Sequence, residues 1–260
     1  MNKITKLFKR YKNARQFGLS YYSTSSFHLP KKLDFHGKAV ELFYPDEKGI
    51  FIDFLSIFLD DDYQLFKFHR NQISTIIDIG ANVGFFSLAS RFYFPNSEIH
   101  AFEPNLNLKE YLSHNFSNLN IKLHSKAVGE RSGTVQLNII GESNQTRVNE
   151  SSPGTTEMIT LESILSNIKG DIDLLKMDCE GSEYPILKGA TSAIKYSKYI
   201  CLETSYVSKS GNCYDIKELL EKNGYRLIDC DWPGTLKGKL PIEIEVKNDQ
   251  FCIIFENINY

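Results

Sequence analysis

The chain has 260 residues, enough for one large α/β domain, or one domain with a small N-terminal addition, and for a core that needs neither disulfides nor structural metal. Hydrophobic residues make up 42% and charged residues 24%, the balance of an ordinary globular protein. The formal net charge of −2 excludes a chain-wide nucleic-acid surface.

Five cysteines (Cys179, Cys201, Cys213, Cys230 and Cys252) form no C-x-x-C pair and are odd in number. They read as small buried hydrophobes in a reducing, cytoplasmic setting, and no metal site is expected from them. No apolar run approaches the ~20 residues that span a bilayer. The N-terminus is basic, with Lys3, Lys6, Lys9, Arg10, Lys12 and Arg15, and lacks the apolar core of a signal peptide. Ile4, Leu7, Phe8 and Tyr11 fall at helical spacing, so this segment is either a helix packed on the domain or on a partner, or one resting on an anionic membrane surface. The sequons at Asn115, Asn144 and Asn149 mark polar surface and nothing more.

Residues 1–70 are aromatic and charged with weak periodicity, and read as a cap on the substrate side of a pocket. Val40–Tyr44 and Ile50–Ile52 look like short strands, and Asp60-Asp61-Asp62 opens a helix. From residue 71 to 260, short apolar runs alternate with helical patterns. Ile73–Ile79 is a strand, Val83–Phe92 a helix, Glu98–Phe102 a strand and Leu106–Phe116 a helix. Strands follow at Ile121–Val128, Ile172–Met177 and Tyr199–Leu202. A helix over Tyr214–Lys222 stops at Asn223-Gly224, and Tyr225–Cys230 and Phe251–Phe255 are the last strands. This order predicts a Rossmann-like α/β fold, with a mostly parallel sheet and helices on both faces. Val135, Leu137 and Ile139 alternate with polar residues, as in a half-exposed antiparallel strand. The polar stretch Gly141–Thr156 reads as a substrate lid or a surface loop.

Two motifs carry a cofactor site. Asp78-Ile79-Gly80-Ala81-Asn82-Val83-Gly84 leaves a strand and opens a helix, where an open parallel sheet binds ligands. The dinucleotide pattern G-x-G-x-x-G fails, because Asn82 and Phe85 occupy its second and third glycine positions, and no Walker lysine follows. A cofactor without phosphate, S-adenosylmethionine, suits this loop: the helix N-terminus and loop amides receive its carboxylate, and Asp78 faces its amine. Glu103, 23 positions after Gly80 and followed by Pro104, suits the ribose hydroxyls. Ala127, at the end of the third strand, should lie near the adenine. His100 and His124 read as hydrogen-bonded core histidines.

The stretch Lys176-Met177-Asp178-Cys179-Glu180-Gly181-Ser182-Glu183 crowds carboxylates at a strand's end, with Glu203 close by on fold logic. Lys176 and Asp178 share one strand face. Methyl transfer from a sulfonium gains mostly from alignment, and an oxygen or nitrogen acceptor must also lose a proton. Asp178 is the first candidate base or positioning group, followed by Glu180 and Glu183. A divalent cation is another use for three carboxylates, and a capped helix start with Lys176 as counter-ion is the purely architectural one.

These blocks, with Ala127-Val128-Gly129, Thr160-Leu161-Glu162-Ser163-Ile164 and Leu187-Lys188-Gly189, resemble the FkbM-type methyltransferases over about residues 71–205. The resemblance implies a seven-stranded sheet whose last strand, Phe251–Phe255, is antiparallel. It implies cofactor contacts at Asp78, Gly80, Asn82 and Glu103, and O-methylation of a sugar, glycan or secondary metabolite. Glu162 departs from the aspartate usual there. A nicotinamide oxidoreductase is the competing enzyme reading, opposed by the broken glycine pattern. A non-catalytic binding module is the other, opposed by the intact loop, Glu103 and the acidic cluster.

Overall fold

A computed structural model describes residues 3–69, 72–139, 141–142, 146–149, 154–168, 170–205, 210–232, 235, 238–241 and 250–260. Among the described residues a seven-stranded sheet has the order β12-β13-β11-β10-β3-β4-β5. Its strands are β3 (Thr75–Ile79), β4 (Glu98–Phe102), β5 (Ile121–His124), β10 (Ile172–Met177), β11 (Ser197–Thr204), β12 (Tyr225–Cys230) and β13 (Phe251–Asn257). From β11 to β5 every pairing is parallel, whereas β13 runs antiparallel to both its neighbours. This is the mostly parallel Rossmann-like sheet that the chain order predicts, and its inverted last strand is the one the family resemblance implies.

Alternation along buried strands builds two cores. Ile76, Leu174, Cys201 and Ile254 face one side, toward α3 (Phe85–Tyr93), α4 (Lys109–Asn115) and the first seventy residues. Ile77, Leu175, Ile200 and Phe255 face the other, toward α5 (Leu161–Asn167), α6 (Glu183–Gly189), α7 (Thr191–Ile194) and α8 (Cys213–Lys222). All nine residues of α3 are buried, because the N-terminal residues cover the face that a two-layer fold would leave wet. Phe17 lies 4.4 Å from Phe92, and Phe54 and Phe58 lie 5.5 and 5.7 Å from Phe85, ring centroid to centroid.

That N-terminal layer contains α1 (Lys3–Gln16), the hairpin β1 (Lys32–Phe35) and β2 (Lys38–Glu41), and α2 (Lys48–Phe54), continued by a π-helical turn over Leu55–Asp60. The strand expected over Ile50–Ile52 is therefore helix: Ile50, Phe54, Leu55, Phe58 and Leu59 are its buried apolar side chains, and their spacing is helical. The acidic triplet closes this helix and opens none, since Asp61 adopts the left-handed conformation (φ 48°) and its N–H bonds Ser56 O. Val40 and Glu41 are in β2, but the strand stops before Leu42.

A second sheet has the order β6-β9-β7-β8, from β6 (Ala127–Gly129), β7 (Gly133–Ile139), β8 (Thr146–Asn149) and β9 (Thr156–Thr160). The strand expected over Ile121–Val128 thus breaks at Ser125-Lys126: β5 stays in the main sheet and β6 joins the second. β7 is antiparallel, as its period predicts. Part of the polar stretch 141–156 is strand β8, while 143–145 and 150–153 lie outside the described residues. Glu142 accepts from the backbone N–H of Lys48 and Gly49, at 3.2 and 2.6 Å, and so caps α2 from a distance.

Asn115 corrects the reading of its sequon as surface. It is buried, donates to Phe43 O and Val83 O (2.8 Å each) and accepts from Phe43 N (2.7 Å). Asn144 lies outside the described residues.

Candidate active site

The loop after β3 is shaped by what sits next to it. Gly80 has φ +76°, and a Cβ there would stand 1.8 Å from the carbonyl oxygen of Asp178, so only glycine lets the two strand ends meet. The N–H groups of Gly80 and Ala81 both donate to Phe102 O at 3.0 Å. Asn82 also has positive φ (49°). Its N–H donates to Glu103 Oε2 at 2.8 Å and its amide Nδ2 to Asp53 Oδ2 at 2.9 Å. Gly84 (φ +88°) begins α3, and a Cβ on it would press the Phe116 ring at 2.5 Å. Its smallness serves the packing of α4, and it does not line the cavity described below.

Glu103 ends β4 buried, with Oε1 accepting from Asn105 N (2.8 Å) and Oε2 from Asn82 N. Burial pushes its carboxyl up to about 7, against the pull of those two amides and of Lys176. Each oxygen keeps room for a further donor.

Beneath the loop lies a buried charge cluster. Lys176 and Asp78 are register partners on adjacent parallel strands, with Nζ 3.1 Å from Oδ1. Lys176 also donates to Gly80 O at 2.7 Å and stands 3.7 Å from Asp178 Oδ2. Burial works against its charge, but Asp78 and Asp178 hold its pKa above the usual lysine range. Asp78 accepts from Ser87 Oγ at 2.7 Å and is fully buried. It touches the cavity only through Lys176 and does not line it.

Over the carboxyl ends of the strands opens a cavity of about 400 Å³. Of the residues picked out from sequence, Gly80, Ala81, Asn82, Glu103, Pro104, Ala127, Asp178 and Glu180 line it, and Asp78, Gly84 and Glu183 do not. Glu183 is buried and accepts from Cys179 N (2.6 Å) and Gly181 N (3.3 Å), closing the turn before α6. His100 is bonded to Glu98 (3.0 Å) and His124 (3.1 Å), away from the cavity, as core histidines are.

Sequence reasoning missed Asp53, Ser56, Asp62, Tyr63, Asp231 and Cys252, all of which line the cavity. They come from the N-terminal layer, from the end of β12 and from β13; of them the sequence singles out only Asp62, in the acidic triplet, and Cys252, as a buried cysteine. Tyr63 is buried and its hydroxyl donates to Asp178 Oδ2 at 3.3 Å. Asp62 accepts from Ser56 Oγ at 2.5 Å, and Asp231 from Cys252 N at 2.7 Å. Burial raises the carboxyls of Asp62 and Asp231, the latter to about 7. Burial and then Asp178, to which it is hydrogen-bonded, hold Glu203 well above the usual carboxylate range. Two carboxyls bonded to each other share a proton. Among the described residues no three of His, Cys, Asp and Glu converge as a metal-binding group.

The cavity fits S-adenosylmethionine in size and chemistry: buried Glu103 can take a diol, and a carboxylate-rich wall suits a cation that bears no phosphate.

The model of the methyltransferase FkbM domain matches residues 78–227. No curated protein matches the chain by sequence. Solved structures similar to it include precorrin-6y C5,15-methyltransferase from Geobacter metallireducens GS-15, at 14% identity, 75% of this chain, 85% of that chain and TM-score 0.44. Methyltransferase FkbM from Methylobacillus flagellatus KT is 19% identical over 70% of this chain and 44% of that one, with TM-score 0.43. M. jannaschii TYW2 in complex with AdoMet is 15% identical, over 89% of each chain, with TM-score 0.42.

Proposed function

We propose, for a chain that belongs to the FkbM methyltransferase family and is an S-adenosylmethionine-dependent methyltransferase, that the acceptor is a hydroxyl of a sugar, glycan or secondary metabolite. The observation that carries this reading is Asp178, which lines the cavity at a strand's carboxyl end, accepts a hydrogen bond from the buried Tyr63 hydroxyl and faces the Lys176 ammonium.

Glu103 would hold the ribose hydroxyls, Gly80, Ala81 and Asn82 the methionyl part, and Pro104 and Ala127 the adenosine side. When bound, the cofactor supplies an electrophilic methyl group on a cationic sulfur. Asp78 acts at a distance, fixing Lys176, which in turn fixes the carbonyl of Gly80. Asp178 accepts the proton of the acceptor hydroxyl, while Lys176, 3.7 Å away, and Tyr63 hold its orientation. Glu180, also on the cavity wall, positions the acceptor.

A wall of Asp53, Asp62, Glu180 and Asp231 presents a row of carboxyl groups, and a polyhydroxylated molecule can pair with them in either protonation state. The same wall repels phosphate polymers, which argues against a nucleic-acid substrate. Much of it lies outside the span of the family model, in residues 1–77 and 228–260, where acceptor choice would reside.

Calorimetry with S-adenosylmethionine and with NAD tests the cofactor, and binding of the sulfonium compound alone is expected. Mass spectrometry of products from a panel of sugars, amino sugars and polyketide alcohols tests the acceptor. A methyl ether is the expected product, and methylation confined to nitrogen would overturn the hydroxyl assignment.

A further inference from the structure

Helix α1 carries six basic residues and no acidic one, which leaves 24 basic against 32 acidic residues in the rest of the chain. Its attachment to the body is specific. Arg10 Nε and Nη2 donate to the two carboxylate oxygens of Asp60 at 2.7 and 2.5 Å, and Asn13 Nδ2 donates to Leu59 O at 2.9 Å. Ala14 is buried beside them, and Phe17 packs edge-on against Phe58 at 5.0 Å. The rotation of α1 about its own axis is therefore fixed.

That rotation turns an apolar stripe outward. Ile4, Leu7, Phe8 and Tyr11, spaced by three and four as on one helix face, are 66, 42, 68 and 42% exposed. A helix whose apolar face merely completed the core would show the opposite pattern. Lys3, Lys12 and Arg15 are exposed along the same helix, and the Arg15 guanidinium lies 5.8 Å from the Tyr11 ring.

From this geometry we infer that α1 is a membrane-docking helix for the surface of an anionic bilayer. Charge complementarity selects the occupant. An in-plane helix buries its apolar stripe at the headgroup boundary while its lysines and arginines meet anionic lipid. The excess of acidic groups in the rest of the chain is repelled by the same surface, so only this face docks. Beyond α1 lies the π-helical turn it packs on, and Ser56 and Ile57 of that turn line the cavity. Docking would set the acceptor cavity one helical layer from the lipid.

Sedimentation of the full chain with vesicles tests this. Binding is expected to equimolar phosphatidylglycerol–phosphatidylcholine vesicles and at least about tenfold weaker to phosphatidylcholine alone. It should loosen between about 0.1 and 0.5 M salt, as screening shortens the reach of the lysines. Phe8→Asp and Leu7→Asp, at exposed positions, should each lower partitioning several-fold or more, with unchanged melting temperature and S-adenosylmethionine affinity. Lys3→Glu with Lys12→Glu should do the same without touching the apolar stripe. Equal binding to both vesicle types, or partitioning indifferent to these substitutions, would overturn the inference. So would a self-association that Phe8→Asp abolishes in a chain that ignores vesicles, because the stripe would then be a contact between copies.

Discussion

Lys176 and Asp78 face each other across two parallel strands, Nζ to Oδ1 3.1 Å, with almost no access to water on either side chain. Removing one partner leaves the other charge buried alone. Lys176→Met is expected to cost ~3–5 kcal/mol in chemical denaturation, and Lys176→Met combined with Asp78→Asn should recover part of that loss. Additive penalties would show that the two groups do not act as a pair.

Glu103 is expected to make cofactor binding pH-dependent. Its carboxyl titrates near 7 in the folded protein, and the ionised form is the one that can accept from both hydroxyls of a ribose. Affinity for S-adenosylmethionine should therefore rise about tenfold from pH 6 to pH 8, as the ionised fraction rises. Calorimetry across that range should show the slope, and Glu103→Gln should flatten it while weakening binding by ~1–3 kcal/mol. The sign for stability is opposite. The folded protein holds this proton after the unfolded chain has lost it, so the group's contribution is full below the unfolded value near 4.5 and declines as pH rises to 7.

Asp178→Asn keeps the shape of the side chain but removes its ability to take a proton. Turnover of the acceptor found in the product screen should fall about 10³-fold, the scale for loss of a general base. Cofactor affinity should change less than about threefold. Turnover within about threefold of the parent enzyme would place the proton's destination elsewhere.

Asn115 ties the chain before α2 to the helix start of the cofactor loop through Phe43 and Val83. Asn115→Ala strands three backbone groups and is expected to cost ~2–4 kcal/mol, measured by urea unfolding. A loss under about 1 kcal/mol would mean that water replaces the amide.

The sheet, its parallel order and the cofactor loop were legible because they depend on local patterns. Alternating strands, the Gly80–Gly84 spacing and an acid at the end of β4 all sit within a few dozen residues. Lys176 could be read as a counter-ion because a lysine in a buried strand needs one. The N-terminal layer was not legible to the same degree. Ile50–Ile52 is as apolar as a strand, and its helical period shows only when Phe54, Leu55, Phe58 and Leu59 are counted with it. Nor does any local pattern place Tyr63 on Asp178, 115 positions away, or Asp53 on Asn82. Those contacts follow from tertiary packing of one layer on another.

The wide turn over Leu55–Asp60 is equivalent to one extra residue spliced into an α-helix. Deleting a single position there would let the helix relax to its ordinary pitch and swing Ser56 and Ile57 away from the cavity they border. A change of chain length by one at that point would thus reshape the N-terminal wall of the cavity, while the strand ends that carry Gly80 and Glu103 keep their register.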